Sequence, residues 1–344
     1  MWKRSFFCAS IALVACGEAR VDDSGGGAQD DAGAEEDAAD AGGGGADVST
    51  STDSGAAQSD ADPDVQVVSD RPYDHDGPIG YDVTVEHVPY GPRPFDVTVY
   101  MPKSAGAHPA VSLSCGSSQS AAGYVPYGKR LASYGIATII HDDPGALTKT
   151  ADIVDEAVYV VATWLPSALA GKVDLSKVGL SGHSRGGAVS LISAEHGLKG
   201  KVVAWFGLDP VDNQFAIDPG AWARTDIGTI GIPTAFLGAS VTSNCAPAAD
   251  SYPMLYPKSP SPSVLIVGNG AGHTQLEPAS ACSLCNICSP SGTADPNVVL
   301  GYAVHYLVAF FARELLGDTS VGPAFEGVGI ADDVASGKLT VSSK

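Results

Sequence analysis

The chain predicts an α/β fold, a mostly parallel sheet with helices on both faces. Three observations carry this. Short, nearly continuous apolar runs such as Ala110–Ser114, Ile136–Ile140 and Val202–Leu208 read as strands buried on both sides. These runs alternate with longer segments of helical periodicity. At 344 residues the chain has room for one large domain plus appendages.

In chain order, Ile79–Val88 and Phe95–Met101 come first. Tyr81, Val83 and Val85 alternate with polar neighbours, as do Phe95, Val97 and Val99. The link Tyr90-Gly91-Pro92-Arg93-Pro94 reads as a turn, so the pair is an N-terminal antiparallel hairpin. Ala110–Ser114 is then a strand, Tyr124–Tyr134 a helix ended by Gly135, and Ile136–Ile140 a second buried strand. Ala151–Ala170 is a long helix with Ile153, Val158, Val161 and Leu165 on one face. Lys177–Ser181 is a strand and Arg185–Glu195 a helix. Val202–Leu208, Thr234–Leu237 and Val264–Val267 are further strands, and Val298–Leu316 is the strong final helix. Leu339–Val341 is a candidate short strand near the end, and no internal repeat is present.

The chemistry centres on Gly182-His183-Ser184-Arg185-Gly186-Gly187, which follows a buried strand and opens a helix. That is the setting of a G-x-S-x-G nucleophile elbow, whose turn is too sharp for side chains on the flanking glycines. It narrows the expected architecture to the α/β-hydrolase fold with Ser184 as nucleophile. A serine hydroxyl needs a base to take its proton, and in this fold the base is a histidine after the last parallel strand. His273, in Gly270-Ala271-Gly272-His273-Thr274, fits. His183 lies inside the elbow and reads as packing beneath it, while His305 falls within the last helix. His87, His108, His141 and His196 all precede the expected acid.

The acid has two candidates in Leu208-Asp209-Pro210-Val211-Asp212. Asp209 stands at the strand tip, where a carboxylate can accept the imidazole N–H, and Asp212 is the alternative. After Thr234–Leu237, where many such enzymes place the acid, no carboxylate follows. The oxyanion of an acyl-transfer intermediate needs two N–H donors. The backbone of Arg185 supplies one, and that of Ser117 in Ser114-Cys115-Gly116-Ser117-Ser118 the other. Cys115 reads as a small buried residue. Tyr124 is a candidate for lining the cleft beside this loop.

The N-terminus has a different character. Lys3 and Arg4 precede an apolar run from Phe6 to Ala15 that ends in Leu13-Val14-Ala15-Cys16. The run is too short to span a bilayer as a mature helix. It resembles a bacterial lipoprotein signal, which implies a leader over 1–15, cleavage before Cys16 and lipidation of that thiol. Such a chain is exported and anchored to the cell envelope, at the outer membrane or a periplasmic face. From Gly17 to about Asp64 the composition is Gly, Ala, Asp and Ser, with almost no large apolar side chain. Residues 16–70 therefore read as a lipidated cysteine with a disordered tether, and 71–344 as the hydrolase domain. Residues 17–64 hold 14 acids and one base, so most of the formal charge of −20 belongs to the tether. No basic cluster points to nucleic acid.

The quoted segments also resemble a known family. Gly182-His183-Ser184-Arg185-Gly186-Gly187 is similar to the lipase motif of chlorophyllases. Leu208-Asp209-Pro210-Val211-Asp212, Asn244-Cys245-Ala246-Pro247 and Gly272-His273 resemble stretches of that family in the same order, within roughly residues 75–320. The similarity extends more loosely to bacterial cutinase-like polyester hydrolases and platelet-activating-factor acetylhydrolases. The latter place their acid after the sixth strand, which implies Asp209. The resemblance implies ester hydrolysis through an acyl-enzyme with no metal or other cofactor. Cys115 in the oxyanion loop and the cysteine cluster after His273 depart from the family.

Only 25 residues separate Leu208 from Thr234, too few for a large helical cap domain. The expectation is an open cleft that admits a bulky, lipid-like or polymeric ester. Cys282, Cys285 and Cys288 have the spacing of a metal site, but no fourth ligand stands at ferredoxin-like spacing. In an exported chain, disulfides among Cys245, Cys282, Cys285 and Cys288 are the better reading. Two further functional classes fit the same scaffold: an acyltransferase, in which an alcohol replaces water, and a non-catalytic surface-binding lipoprotein.

Overall fold

The computed structural model describes residues 71–145, 148–212 and 223–344. The leader, Cys16 and the tether fall in 1–70 and lie outside the described residues. So do residues 213–222, part of the segment read as too short for a cap.

A single sheet of nine strands runs through the described residues. The strands are β1 (Tyr81–Val88), β2 (Phe95–Pro102), β3 (His108–Ser114), β4 (Ala137–His141), β5 (Val173–His183), β6 (Ala204–Leu208), β7 (Thr234–Val241), β8 (Ser263–Gly272) and β9 (Leu339–Ser343). Their spatial order is β1-β2-β4-β3-β5-β6-β7-β8-β9. The hairpin β1–β2 joins β4 antiparallel, the strands from β4 across to β8 are parallel, and β9 closes the far edge antiparallel. The helices are α1 (Val125–Ser133), α2 (Thr150–Tyr159), α3 (Leu165–Ala168), α4 (Arg185–His196), α5 (Ala223–Asp226), α6 (Tyr252–Leu255), α7 (Pro296–Phe311) and α8 (Ile330–Ala335).

Side chains on a strand alternate between its faces, and that alternation splits the core in two. Leu113, Phe206, Leu208, Leu237 and Ile266 face one layer, where they meet Tyr127 and Leu131 of α1 and Phe310 and Phe311 of α7. Ala110, Leu180, Trp205 and Phe236 face the other, where they meet Ile153 of α2 and Val189 and Ile192 of α4. Helix α7 is capped by Asp295, whose side chain accepts from Asn297 N at 2.8 Å. Pro296–Leu316 is apolar enough by length and composition to cross a membrane. Here 72% of its most apolar window is buried inside the protein, the composition of a core helix.

The predicted long helix is present in pieces. A wider turn over Val160–Trp164 separates α2 from α3, and α3 has a proline in its first turn. Pro166 carries no N–H, so the backbone ladder has to adjust before it. Strand β5 begins earlier than its apolar run, because Val173 pairs with His108 ahead of an irregularity. Helix α8 and the single turns α5 and α6 escaped the sequence reading; each is too short for periodicity to register.

The order β4-β3-β5 places a topological switch between β3 and β5. The chain leaves β3 toward α1 on one face and leaves β5 toward α4 on the other. The crevice at the carboxyl ends of these two strands is where open α/β sheets bind ligands.

Two disulfides are formed. Cys245 joins Cys288 with a Cα–Cα distance of 5.3 Å, and Cys282 joins Cys285; Cys115 is free and buried. The first ties the loop after β7 to the segment after β8, alongside hydrogen bonds from Asn244 N to Ser289 O and from Ser289 N to Asn244 Oδ1. It spans a sequence separation of 43 residues. Replacing Cys245 and Cys288 by serine is expected to lower unfolding stability by about 2–4 kcal/mol, read from the shift of the urea midpoint.

Candidate active site

The site begins with the geometry at the end of β5. Ser184 stands between β5 and α4 in a left-handed conformation, φ 56° and ψ −126°. A non-glycine residue there stores backbone strain and is held by its surroundings. Ser184 N donates to Leu208 O at 3.1 Å, and Val211 N donates to Ser184 O at 2.9 Å, so the turn is bonded to the end of β6. A Cβ on Gly182 would lie 2.1 Å from Gly186 O, and one on Gly186 would lie 2.2 Å from Ser114 O. Backbone cannot yield at such distances, which is why glycine occupies both positions.

Parallel register aligns the neighbouring strand ends. Gly182 pairs with Ser114, His183 with Leu208, and Leu208 with Leu237. Asp209, one residue beyond β6, is therefore beside Ser184. His273 follows the last residue of β8 and reaches back across the same edge. His273 Nε2 lies 2.9 Å from Ser184 Oγ, and His273 Nδ1 lies 2.7 Å from Asp209 Oδ2. A carboxylate only accepts, so Nδ1 carries the proton and Nε2 is left to accept from the serine hydroxyl. The other carboxylate oxygen, Oδ1, accepts from Ala239 N of β7 at 3.2 Å. Asp209 and His273 are buried, at 1% and 4% exposure, whereas Ser184 is only partly buried.

Asp212 is engaged elsewhere. Its carboxylate accepts from Arg224 Nε at 2.6 Å and from Ala223 N at 2.9 Å, binding the start of α5. Of the two candidate acids, Asp209 alone meets His273. Burial is the largest influence on His273 and pulls its pKa below the usual 6.5; the Asp209 hydrogen bond acts the other way, and His183 adds to the lowering.

His183 lies under the elbow, its ring centroid 4.6 Å from that of His273. Its Nε2 donates to His273 O at 3.1 Å. Its Nδ1 faces Tyr124 Oη at 2.8 Å and Glu277 Oε1 at 3.3 Å. Tyr124 does not line the cleft: it is fully buried, and its hydroxyl accepts from Gly116 N at 2.9 Å. Burial pushes this phenol far above its ordinary pKa, so it stays a neutral bridge from the β3 loop to His183. Glu277 escaped the sequence reading, as a lone acid after the histidine loop carries no pattern; its Oε2 has no hydrogen-bond partner among the described residues. Burial likewise pushes the Cys115 thiol well up, which suits an inert packing residue.

Ser117 is partly buried in the loop after β3. Gly116 N is bonded to Tyr124, Ser118 N to Asp143 Oδ1 at 2.8 Å, and Gln119 N to Gly116 O at 2.9 Å. Ser117 N is the one amide of residues 116–119 with no hydrogen-bond partner among the described residues. Arg185, the other expected donor, starts α4, where the helix dipole favours negative charge. Among the described residues no cluster of three or more His, Cys, Asp or Glu side chains could hold a metal ion.

The family model for chlorophyllase matches residues 78–318, more than half of the chain. The chain belongs to the chlorophyllase family. The matched span runs from just before β1 to just after α7, so it contains Ser184, Asp209 and His273 and leaves out α8 and β9. Membership identifies the nine-stranded sheet as an α/β-hydrolase fold and supports a hydrolase acting on esters. No curated protein matches the chain.

Because the elbow tolerates no added methyl group, Gly186→Ala is expected to yield little folded protein and no turnover. Soluble yield and far-ultraviolet circular dichroism, measured beside the wild type, check this.

Proposed function

We propose that the protein is a serine-dependent carboxylic-ester hydrolase working through an acyl-enzyme, with Ser184 as nucleophile, His273 as general base and acid, and Asp209 as its orienting carboxylate. The observation that carries this is the continuous hydrogen-bonded line from the partly exposed Ser184 Oγ through His273 to the buried Asp209. His273 Nε2 takes the hydroxyl proton as Oγ attacks the ester carbonyl. The carbonyl π pair moves onto oxygen, where the N–H groups of Ser117 and Arg185 receive it. The intermediate collapses, His273 gives its proton to the departing alcohol, and the acyl group stays on Ser184. Water then attacks the acyl carbon, losing a proton to His273, and the acid leaves as Oγ recovers its proton. No step in this scheme requires a metal or cofactor.

The substrate reading is a bulky, lipid-like or polymeric ester, supported by the partial exposure of Ser184 and by the single short turn α5 among the described residues between β6 and β7. The lipobox-like Leu13-Val14-Ala15-Cys16 and the acidic segment behind it support an exported enzyme tethered by lipid to a bacterial envelope. In that reading, Cys16→Ala moves the protein from the membrane pellet to the soluble fraction.

Hydrolysis of p-nitrophenyl acetate, butyrate and longer esters tests the reading. Turnover that disappears in both Ser184→Ala and His273→Ala is the expected result. A folded wild type without turnover would favour a binding role, and product carrying an added alcohol in place of free acid would favour an acyltransferase.

His273 must be neutral to act as base. Its pKa is lowered, so kcat/KM is expected to be flat near neutrality and to fall with decreasing pH along a limb centred below 6.5. Asp209→Asn removes the negative charge, and with it the charge-assisted hydrogen bond, that opposes this lowering. The limb should then move further toward acid, with kcat reduced about 10⁴-fold, as for the serine-protease triad whose aspartate is replaced in this way. A pH–rate profile of both proteins reads the two effects together.

A further inference from the structure

Arg185 presents more than a backbone amide. Its guanidinium is buried and held by Asp143, from the segment just after β4. Arg185 Nε donates to Asp143 Oδ2 at 2.9 Å, and Nη2 donates to Asp143 Oδ1. The remaining donors also reach this segment, Nη2 to Gly145 O at 2.9 Å and Nη1 to Thr148 O at 3.2 Å. A two-point Arg–carboxylate pair fixes both orientation and distance.

The same carboxylate holds the β3 loop. Asp143 Oδ1 accepts from Ser118 N at 2.8 Å as well as from Gly145 N at 2.9 Å, and Asp143 N donates to Gln119 O at 3.0 Å. Ser118 is held in a left-handed conformation, φ 59°. The loop is thus pinned immediately after Ser117, while Tyr124 pins it immediately before, at Gly116 N. Ser117 N is left between the two pins without a partner among the described residues.

We propose that Asp143 is a positioning residue for the oxyanion hole: one carboxylate joins the loop bearing Ser117 N to the side chain of Arg185, whose own amide is the second donor. The elbow is rigid because β5, β6 and α4 fix it. The β3 loop is held at separate points instead, by Tyr124 at Gly116 N and by Asp143 at Ser118 N and Gln119 O. Asp143 borrows rigidity from the first and gives it to the second, so that two amides on separate elements converge on one point before substrate arrives. An oxyanion hole stabilises charge only when its donors stand where the charge will develop.

The inference rests on the ester-hydrolase reading, which turnover by the wild type and its loss in Ser184→Ala establish separately. The test is Asp143→Asn, assayed for kcat, KM and inhibition by an alkyl trifluoromethyl ketone and by the matching methyl ketone. The trifluoromethyl ketone adds Ser184 Oγ and places an oxyanion in the hole; the methyl ketone occupies the cleft without doing so. The expected result is a kcat lowered by about 10- to 100-fold at nearly constant KM, less than the roughly 10²- to 10³-fold loss seen when an oxyanion donor is removed outright. Affinity for the trifluoromethyl ketone should weaken in parallel, and inhibition by the methyl ketone should be unchanged. A merely structural role would lower the melting temperature and leave kcat per folded molecule and the ratio of the two inhibition constants as in the wild type; that outcome overturns the proposal. Should Asp143→Asn not accumulate as folded protein, Asp143→Glu keeps the charge, moves the carboxylate by one methylene and is read in the same way. With active wild type, an unchanged kcat in the variant removes the positioning role alone; an inactive wild type removes the ester-hydrolase reading itself.

Discussion

The turn at Ser184 is the constraint on which the remaining architecture hangs. A buried strand ends and a buried helix begins around a single residue, and the path between them approaches other backbone so closely that a methyl group on Gly182 or Gly186 would overlap a carbonyl oxygen. A turn this sharp persists only when neighbours hold it. Here Leu208 O accepts from Ser184 N and Val211 N donates to Ser184 O, so the end of β6 is bonded directly to Ser184. That also sets Asp209, whose own N–H is bonded to Leu237 O of β7. The side-chain line Ser184–His273–Asp209 is thus laid over a backbone line that runs across three adjacent strand ends.

Polar groups buried under this edge bring a desolvation cost that hydrogen bonds must offset. His183, inside the elbow, links the carbonyl of His273 to the hydroxyl of Tyr124, which in turn holds Gly116 of the β3 loop. On the other side of the loop, Asp143 and Arg185 form a paired and fully engaged charge cluster. The crevice is bracketed by two buried polar networks, one behind the His273 imidazole and one behind the β3 loop. Removing either partner of the second would leave a buried charge without compensation, which costs more than the pair itself contributes.

The outer wall is fastened differently. The segment after His273 has few apolar side chains to bury, and Ile287 within it is 62% exposed. Two covalent links hold it where packing does not, and Ser283 Oγ donates to Ser118 O at 3.4 Å, touching the β3 loop. Loop-rich segments with little apolar surface to bury are commonly held by disulfides in this way.

Much was legible from residue order alone, for identifiable reasons. Strands buried on both faces must be apolar throughout, so β3, β4, β6, β7 and β8 showed as runs, and the α/β class followed from their alternation with helices. The elbow showed because only glycine fits two residues either side of Ser184. His273 showed because the fold permits a base after the last parallel strand and small residues lead into it. Tertiary structure decided the rest. Asp209 and Asp212 stand in one short segment and are chemically identical; strand register carries one to His273, while Arg224 and the start of α5 engage the other. The side chain of Tyr124 is aimed inward by packing, which its place at a helix start does not reveal. Asp143 and Glu277 had no local signature, because their partners lie 42 and 94 residues away along the chain. Sequence determines which chemistry a chain carries and the period of its elements; which distant charges share a hydrogen bond depends on how those elements stack.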